Sequence, residues 1–203
     1  MQILVIPTVS MQSSREAKEC STPADFGNEE PEEIVTERAI SGTLGILKSC
    51  LKSKTVKRVV YTSGASGVVF NGQDLDMLDE SFWSDVDFIR GKLTPILSSY
   101  MISKTWTEWA ALEFGAQHGL EVVTVIPSFV NVLSYAPNSQ CGEQHAYRAL
   151  LNTPMVHVDD VSGAHIFLLE YPDAKGRYNF SSYRMSLQKM SEFLSAKYPV
   201  FQH

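Results

Sequence analysis

Tyr100 and Lys104 have side chains and a spacing suited to proton transfer. On a helix, residues four apart share one face, so the phenol and the amine would lie one turn apart. An ammonium beside a phenol favours the phenolate and lowers the pKa of the phenol. A tyrosine with its pKa moved toward neutrality can pass a proton to or from an alcohol or carbonyl oxygen. The same spacing occurs by chance in many helices that pair an exposed lysine with a half-buried tyrosine, so the surrounding sequence has to decide between the two readings.

The sequence around this pair alternates between helix and strand patterns. Apolar residues recur at helical spacing over residues 32–53, with acids in the first turn and lysines in the last. Residues 56–62 and 120–126 are predicted as buried strands. Between them, a helix from about residue 98 to 117 carries the tyrosine and the lysine. Strands that alternate with helices favour an α/β fold with a parallel sheet.

Other elements are predicted from shorter patterns. Asp159 or Asp160 can cap a helix that follows a short strand. The apolar positions of the helix from residue 98 to 117 predict its buried stripe as Ile102, Trp106, Trp109 and Leu112. The remaining segments are strands at residues 3–6, 156–158 and 175–180, and helices ending at residue 170 and covering about 186–198.

The carboxyl ends of the two predicted buried strands carry residues that can lie near Tyr100 and Lys104. Ser63 follows the first buried strand and Pro127 follows the second. Ligands of parallel α/β sheets bind at the carboxyl ends of the strands, so Tyr100 and Lys104 can face the same crevice. A carbonyl could be reduced there if Ser63 or Ser66 donated a hydrogen bond to its oxygen and Tyr100 supplied the proton as hydride arrived. Lys104 could hold the ribose hydroxyls of a nicotinamide cofactor.

Composition and charge exclude several other functions. The chain has 203 residues and a net charge of −6 without a dense basic run, which argues against a nucleic-acid surface. Its three cysteines are scattered, which predicts neither a disulfide framework nor a zinc site and fits a reducing, cytoplasmic compartment. No run reaches the length of a transmembrane helix. His157 near Asp159 and Asp160 is better explained by a helix cap than by a metal site, and no metal ligand is predicted.

Several stretches around Tyr100 and Lys104 match a known protein family. The chain resembles the plant dihydroflavonol 4-reductase and vestitone reductase-like branch of the extended short-chain dehydrogenase/reductases over about residues 21–200. The matching stretches are Pro31-Glu32-Glu33-Ile34-Val35, Gly45-Ile46-Leu47-Lys48, Arg58-Val59-Val60-Tyr61-Thr62-Ser63, Asp79-Glu80-Ser81-Phe82-Trp83-Ser84-Asp85, Tyr100 with Ser103-Lys104-Thr105, Val156-His157-Val158-Asp159-Asp160 and Gly176-Arg177-Tyr178-Asn179.

This resemblance implies an NADPH-dependent reductase of a flavonoid-like ketone or related carbonyl. It implies Tyr100, Lys104 and Ser63 as catalytic residues. It also implies Tyr100, Lys104, Pro127 and Thr22 as residues that bind NADP(H), Thr22 lying in a stretch similar to the family's cofactor loop.

The chain departs from the family pattern in four places. It contains no GxGxxG or GxxGxxG loop, and residues 1–20 match nothing in the family. Gly64 stands where the family carries the second of two serines, the catalytic one. The stretch between Asn131 and Met155, which would line the substrate pocket, is several residues short.

The expected fold is therefore a partial Rossmann fold, a doubly wound, mostly parallel sheet that lacks the first Gly-rich βαβ unit. We expect a non-family segment at 1–20, the C-terminal part of the NADP-binding domain at 21–130, and a small substrate-binding region with returning Rossmann elements at 131–203.

Two functional hypotheses follow from these departures. In the first, the protein is an active NADPH-dependent oxidoreductase. In the second, it is a truncated relative without tight cofactor binding, which serves as an interaction protein or is a non-functional product. If residues 1–20 supply no replacement strand, the strand at 57–62 would expose an apolar edge and the protein would self-associate. Residues 3–6 are the only segment before residue 32 that is apolar enough to cover that edge.

Overall fold

The computed structural model describes residues 30–73, 77–131 and 154–184, the backbone of residues 2–6, and the single positions 189, 192, 195 and 196. Its strands are β1 (Gln2–Ile6), β2 (Val56–Thr62), β3 (Glu121–Pro127), β4 (Phe129–Asn131), β5 (Pro154–His157), β6 (Gly176–Phe180) and β7 (Tyr183–Arg184). Its helices are α1 (Glu32–Ser53), α2 (Val86–Lys92), α3 (Pro95–His118) and α4 (Val158–Glu170), with a short 3-10 turn at Ala65–Gly67.

The main sheet has the strand order β1-β2-β3-β6, and each neighbouring pair is parallel. The predicted α/β class with a parallel sheet is confirmed. A smaller sheet has the order β4-β5-β7, in which β4 and β5 are parallel and β7 is antiparallel to β5. It follows directly from the carboxyl end of β3, the end at which ligands of parallel sheets bind.

The strand predicted at residues 3–6 takes part in the main sheet. β1 pairs with β2 so that Leu4 lies opposite Val59. The expectation of an open edge on β2 does not hold, because the backbone of β1 covers it. The edge of the sheet lies instead at β1, since no described strand pairs with its other side.

Both faces of β2 are buried from Arg58 to Tyr61, which explains the apolar run Val59-Val60-Tyr61. Val59 and Tyr61 pack into a cluster with residues of α1 and α3, including Leu47 and Phe114. The alternate residue Val60 packs on the opposite face, in a cluster that contains Leu168 of α4. This alternation is the two-residue period of a strand, and it places α1 and α3 on one face of the sheet and α4 on the other.

The buried stripe predicted for α3 is partly wrong. Ile102 is fully buried, but Trp106 and Trp109 are 41% and 46% exposed and pack edge to face against each other. The buried face instead carries Lys104 and Glu108, together with Ser103, Thr105, Thr107, Ala111 and Phe114. Bulky apolar residues lie on both sides of this helix, so their spacing alone could not identify the inward side.

Two caps set the ends of α3. Thr94 is the N-cap with Pro95 in the first turn, a few residues before the predicted start at 98. Gly119 ends the helix in the left-handed conformation, with a φ of 67°, as a glycine C-cap permits. The helix therefore begins one turn before Tyr100 and holds it within regular helical geometry.

Local contacts also fix α4. Its N-cap is His157, whose Nδ1 accepts a hydrogen bond from the backbone N–H of Asp159 at 3.2 Å. The prediction that Asp159 or Asp160 caps the helix is wrong, because both lie within its first turn. At the other end, buried Arg58 of β2 donates to the carbonyls of Leu168, Tyr171 and Pro172. A cation is favourable at these C-terminal carbonyls, so Arg58 anchors α4 to the sheet.

Some predictions lie outside the described residues. These are Thr22, most of the pocket region between 131 and 155, and most of the last predicted helix, although positions 189, 192, 195 and 196 are helical. The proposed domain boundaries at 20 and 130 stay predictions.

Candidate active site

The structure places Lys104 against the carboxyl end of β2. The side chain is buried, its Nζ donates a hydrogen bond to the Thr62 carbonyl at 3.3 Å, and it lies 5.9 Å from the centre of the Tyr61 ring. An ammonium has three N–H donors. Thr62 is its one hydrogen-bond acceptor within residues 30–73, 77–131 and 154–184, so further N–H groups are available for a ligand.

Burial controls the electrostatics of the pair. It lowers the pKa of Lys104 to about 7, and the negative charge of Glu108 opposes this change. Burial also raises the pKa of Tyr100 above its ordinary value. The expectation that Lys104 would lower the Tyr100 pKa is therefore not met in this structure, because burial disfavours the charged phenolate.

The two candidate serines have different surroundings. Ser63 is buried, and its Oγ donates to Oε2 of Glu108 at 2.6 Å. Ser66 is half-buried in the 3-10 turn. A Cβ added to Gly64 would lie 3.7 Å from the Ser66 Oγ and 3.8 Å from the Lys104 Cε. The Ser66 hydroxyl and the Lys104 side chain thus both lie next to the space that a side chain at Gly64 would occupy.

Pro127 lies where it was expected, at the carboxyl end of β3, and is buried opposite Phe180 of β6. Ser128, the next residue, has a buried Oγ without a hydrogen-bond partner in the described part of the chain. Buried hydroxyls are normally paired. The residue after Pro127 therefore carries a buried polar group without a described partner.

Sequence reasoning missed a buried charged cluster behind the pair. Glu108 is fully buried and forms an ion pair with Arg177 of β6, whose Nε lies 2.8 Å from Oε1. The four-residue step from Lys104 to Glu108 could have revealed the carboxylate, since a third member of the row lies on the same helix face. No pattern in the sequence pointed to Arg177.

Arg177 connects this cluster to the acidic segment that contains Trp83. Its guanidinium lies 3.7 Å from the centre of the Trp83 ring and donates to the carbonyls of Glu80 and Phe82. The Asn179 backbone N–H donates to Oε1 of Glu80. The segment at 79–85 is therefore held along the edge strand β6 by these hydrogen bonds.

His165 is a second residue that the sequence did not single out. Its Nδ1 lies 2.7 Å from the Val161 carbonyl, which can only accept, so Nδ1 carries the proton. In the neutral ring, Nε2 then accepts from the Thr62 hydroxyl at 2.7 Å. The Thr62 side chain is thus hydrogen-bonded to His165 of α4, and its backbone carbonyl accepts a hydrogen bond from Lys104 of α3.

The described residues lack the features of a metal site and of a membrane-spanning helix. They contain no group of three or more His, Cys, Asp or Glu side chains arranged to hold a metal ion. None of their helices combines the length and apolar character needed to cross a membrane.

Several known proteins are similar to this chain in sequence. The model of the NAD dependent epimerase/dehydratase family matches residues 24–181. Vestitone reductase from Medicago sativa is 48% identical over 191 residues, which cover 90% of this chain and 58% of that protein. Dihydroflavonol 4-reductase from Arabidopsis thaliana is 37% identical over 194 residues, which cover 89% of this chain and 50% of that protein.

Solved structures agree with the sequence comparison. The crystal structure of vestitone reductase from alfalfa superimposes with a TM-score of 0.70 at 46% identity, covering 85% of this chain and 58% of that one. The described elements thus form part of a Rossmann-like fold of the short-chain dehydrogenase/reductase type. The chain spans between 50% and 58% of the length of these relatives.

Proposed function

This chain belongs to the NAD dependent epimerase/dehydratase family, in its vestitone reductase-like and dihydroflavonol reductase-like branch, and we propose that it acts as an NADPH-dependent reductase of a flavonoid-like ketone or related carbonyl. The observation that carries the proposal is the buried Lys104, one helical turn from Tyr100 and hydrogen-bonded to the end of β2. A lysine is rarely buried without a specific role. The similarity to two plant reductases supports the substrate class.

The residues at the strand ends fit the nicotinamide half of the cofactor. Lys104 has N–H groups available for ribose hydroxyls, and Tyr100 lies one turn away on the same face. Pro127 lies at the carboxyl end of β3, the strand next to β2, whose last residue holds Lys104. When bound, the cofactor supplies hydride to the carbonyl carbon. We propose Thr22 as a further cofactor contact, by resemblance alone.

Tyr100 is suited to act as the acid in this reduction. Burial raises its pKa, so the phenol keeps its proton at neutral pH. The substrate oxygen gains negative charge as the carbonyl carbon becomes tetrahedral and is then basic enough to take that proton. The resulting phenolate lies one turn from Lys104. With a pKa of about 7, that amine can be charged to stabilise the phenolate and can return a proton to it.

A hydroxyl from the turn after β2 completes the proposed site. Ser66 is better placed than Ser63 to donate to the substrate oxygen, because the proton of Ser63 is engaged by Glu108. Gly64 is the position at which the family carries this serine, and Ser66 lies next to it in space. We propose that Ser66 carries out this role, with Ser63 as the alternative.

A turnover assay tests the proposal. The purified chain is incubated with NADPH and a set of flavonoid ketones, and NADPH oxidation is compared with the alcohol formed. We expect one alcohol for each NADPH oxidised. A folded protein that forms no alcohol from any of these ketones contradicts the proposal.

A second candidate function is favoured by the absence of a Gly-rich dinucleotide loop from all 203 residues. Without such a loop, the sequence lacks the motif with which the family binds the pyrophosphate of the cofactor. In this alternative, the chain binds NADP(H) weakly and acts as an interaction protein or is a non-functional product. In either case we place it in the cytoplasm, where its scattered cysteines stay reduced.

A further inference from the structure

The face of α3 that carries the proposed catalytic pair continues to Glu108. Tyr100, Lys104 and Glu108 follow one another at intervals of four residues and form one row along the helix. Glu108 is the fully buried member of this row. A carboxylate buried in this way costs several kcal/mol unless charged and hydrogen-bonding groups compensate it, roughly as for any isolated ion in a protein interior.

Three parts of the chain hold the Glu108 carboxylate in place. Arg177 of β6 pairs with Oε1 at 2.8 Å, and Ser63 after β2 donates to Oε2 at 2.6 Å. The turn that follows packs directly on the same oxygen. A Cβ added to Gly67 would lie only 2.7 Å from Oε2, so the close approach requires a glycine there.

We propose that Glu108 is a positioning residue that sustains the positive charge of Lys104 and so keeps the amine able to support Tyr100. The negative charge of Glu108, one turn away, acts on Lys104 with little screening by water, because both side chains are buried. Burial and the Glu108 charge act in opposite directions on the Lys104 pKa. The contacts that hold the Glu108 carboxylate in place therefore help to determine the Lys104 pKa.

The groups around Lys104 leave Glu108 as its main negative neighbour. Among the described residues, α3 presents Tyr100 and Glu108, β2 presents the Tyr61 ring and the Thr62 carbonyl, and the Ala65–Gly67 turn presents no titratable group. Arg177 of β6 faces the Glu108 carboxylate from the sheet. Its positive charge weakens the field of Glu108 at Lys104 without cancelling it.

The consequence of Glu108 for turnover rests on the proposed function, whereas its effect on Lys104 can be measured without cofactor or substrate. The chain is produced with 13C at the lysine ε-carbons, and the Lys104 resonance is assigned by its loss in Lys104→Arg. The pH titration of that resonance gives the Lys104 pKa directly. Circular dichroism establishes that each variant is folded.

We expect Glu108→Gln to lower the measured Lys104 pKa by about one unit, because burial is then unopposed. Arg177→Gln should raise it, because the carboxylate loses its neutralising partner. Glu113→Gln is the matched control, since Glu113 is an exposed acid on the same helix that bonds to Gln117, and it should leave the pKa unchanged. A variant that merely loosened the packing would admit water and raise the Lys104 pKa toward 10.5, so Glu108→Gln separates the two explanations by sign.

The double variant Glu108→Gln/Arg177→Gln protects the test against misfolding. It removes both buried charges together and leaves no lone charge in the interior. It should also lower the Lys104 pKa, since the carboxylate is gone. An unchanged or raised Lys104 pKa in folded Glu108→Gln, or in the double variant where the single variant does not fold, overturns the inference.

The turnover assay separates this inference from the proposed function. In an active protein, the activity of Glu108→Gln should decline at lower pH than that of the parent chain, in step with Lys104 deprotonation. A shifted Lys104 pKa in a protein without reductase activity upholds the inference and rejects the function. Reductase activity without any shift of the Lys104 pKa in Glu108→Gln supports the proposed function and rejects the inference.

Discussion

The hydroxyl of Ser63 lies 2.6 Å from the carboxylate of Glu108. A serine hydroxyl has one proton to donate, and this contact uses it. Ser63 can therefore stabilise a substrate oxygen only by leaving a fully buried carboxylate with one hydrogen bond fewer. Such an exchange costs roughly 1–3 kcal/mol, which favours a hydroxyl from elsewhere in the same turn.

Gly64→Ser should raise any residual reductase activity. The position has ordinary van der Waals space for a Cβ close to the Ser66 hydroxyl and to Lys104, so a serine there adds a hydroxyl next to the proposed site. One such donor contributes about 2–4 kcal/mol in comparable sites, and we expect kcat to rise about tenfold or more. Steady-state kinetics with NADPH and a flavonoid ketone measures the change.

Gly64→Ala is the matched control for this variant, since it adds the Cβ without the hydroxyl and should leave kcat near its parent value. Ser66→Ala should reduce activity more than Ser63→Ala does. If Ser63→Ala alone abolishes turnover while Gly64→Ser changes nothing, Ser63 is the donor and our assignment is wrong.

Tyr100→Phe should remove nearly all activity while the fold persists. Loss of a group that transfers a proton costs about 10²–10⁴-fold in rate, and the ring itself remains in place. Tyr171→Phe is a suitable control, because Tyr171 is 44% exposed and stacks on Phe167 away from the site. A Tyr100→Phe turnover number within a few-fold of the parent rules out Tyr100 as the acid.

The sequence was sufficient for β1, β2, β3, β5 and β6 and for the row formed by Tyr100 and Lys104. An apolar run such as Val59-Val60-Tyr61 indicates a buried strand, and a four-residue helical spacing is independent of tertiary contacts. The short strands β4 and β7 were not predicted. The inward face of α3 was not predictable in the same way. Trp106 and Trp109 are apolar yet exposed, while Glu108 is charged yet buried, because a partner on a distant strand compensates its charge.

The Glu108–Arg177 pair shows why this part of the site was missed. Its two members are separated by 69 positions and meet only because β6 joins the sheet beside β3. The direction of the Tyr100 pKa was also beyond the sequence, since a helical spacing does not report how much water reaches the phenol. Burial raises that pKa, and the pattern predicted the reverse.

Lys104→Met should be most stabilising at or below neutral pH. The folded-state pKa of Lys104 is about 7, against 10.5 for the free side chain, so between these values the unfolded chain binds more protons than the folded one. The destabilisation by this lysine is complete below pH 7 and declines as pH rises toward 10.5. The stability advantage of Lys104→Met should thus shrink with rising pH, by at most about 1.4 kcal/mol per unit.

Urea unfolding of both proteins between pH 6.5 and about 9.5 measures this difference in the free energy of unfolding. Lys57→Met, at an exposed position of β2, serves as the comparison and should show no such trend. An advantage of Lys104→Met that grows as pH rises has the wrong sign and excludes the lowered lysine pKa.

NADPH should bind weakly to the 203-residue chain. Lys104, Tyr100 and Pro127 can contact the nicotinamide and its ribose, but the sequence has no Gly-rich loop to hold the pyrophosphate. Calorimetric titration of monodisperse protein measures the affinity, with vestitone reductase from Medicago sativa as a reference in the same buffer. Micromolar or tighter binding by this chain would show that other residues replace the loop, and would favour the active reductase over the weakly binding alternative.

Self-association should depend on the outer edge of β1. The strand covers β2, but its own outer N–H and C=O groups have no strand partner in the described structure. An apolar segment with such an edge, Gln2–Ile6 (QILVI), is a template for pairing with a second copy. Sedimentation velocity over a range of protein concentrations should show a concentration-dependent dimer. Deletion of residues 1–6 tests the location of the contact, because it moves the open edge to the longer strand β2 and should increase association. If both the full chain and the chain without residues 1–6 stay monomeric, the edge of the sheet does not pair with a second copy and the prediction is wrong.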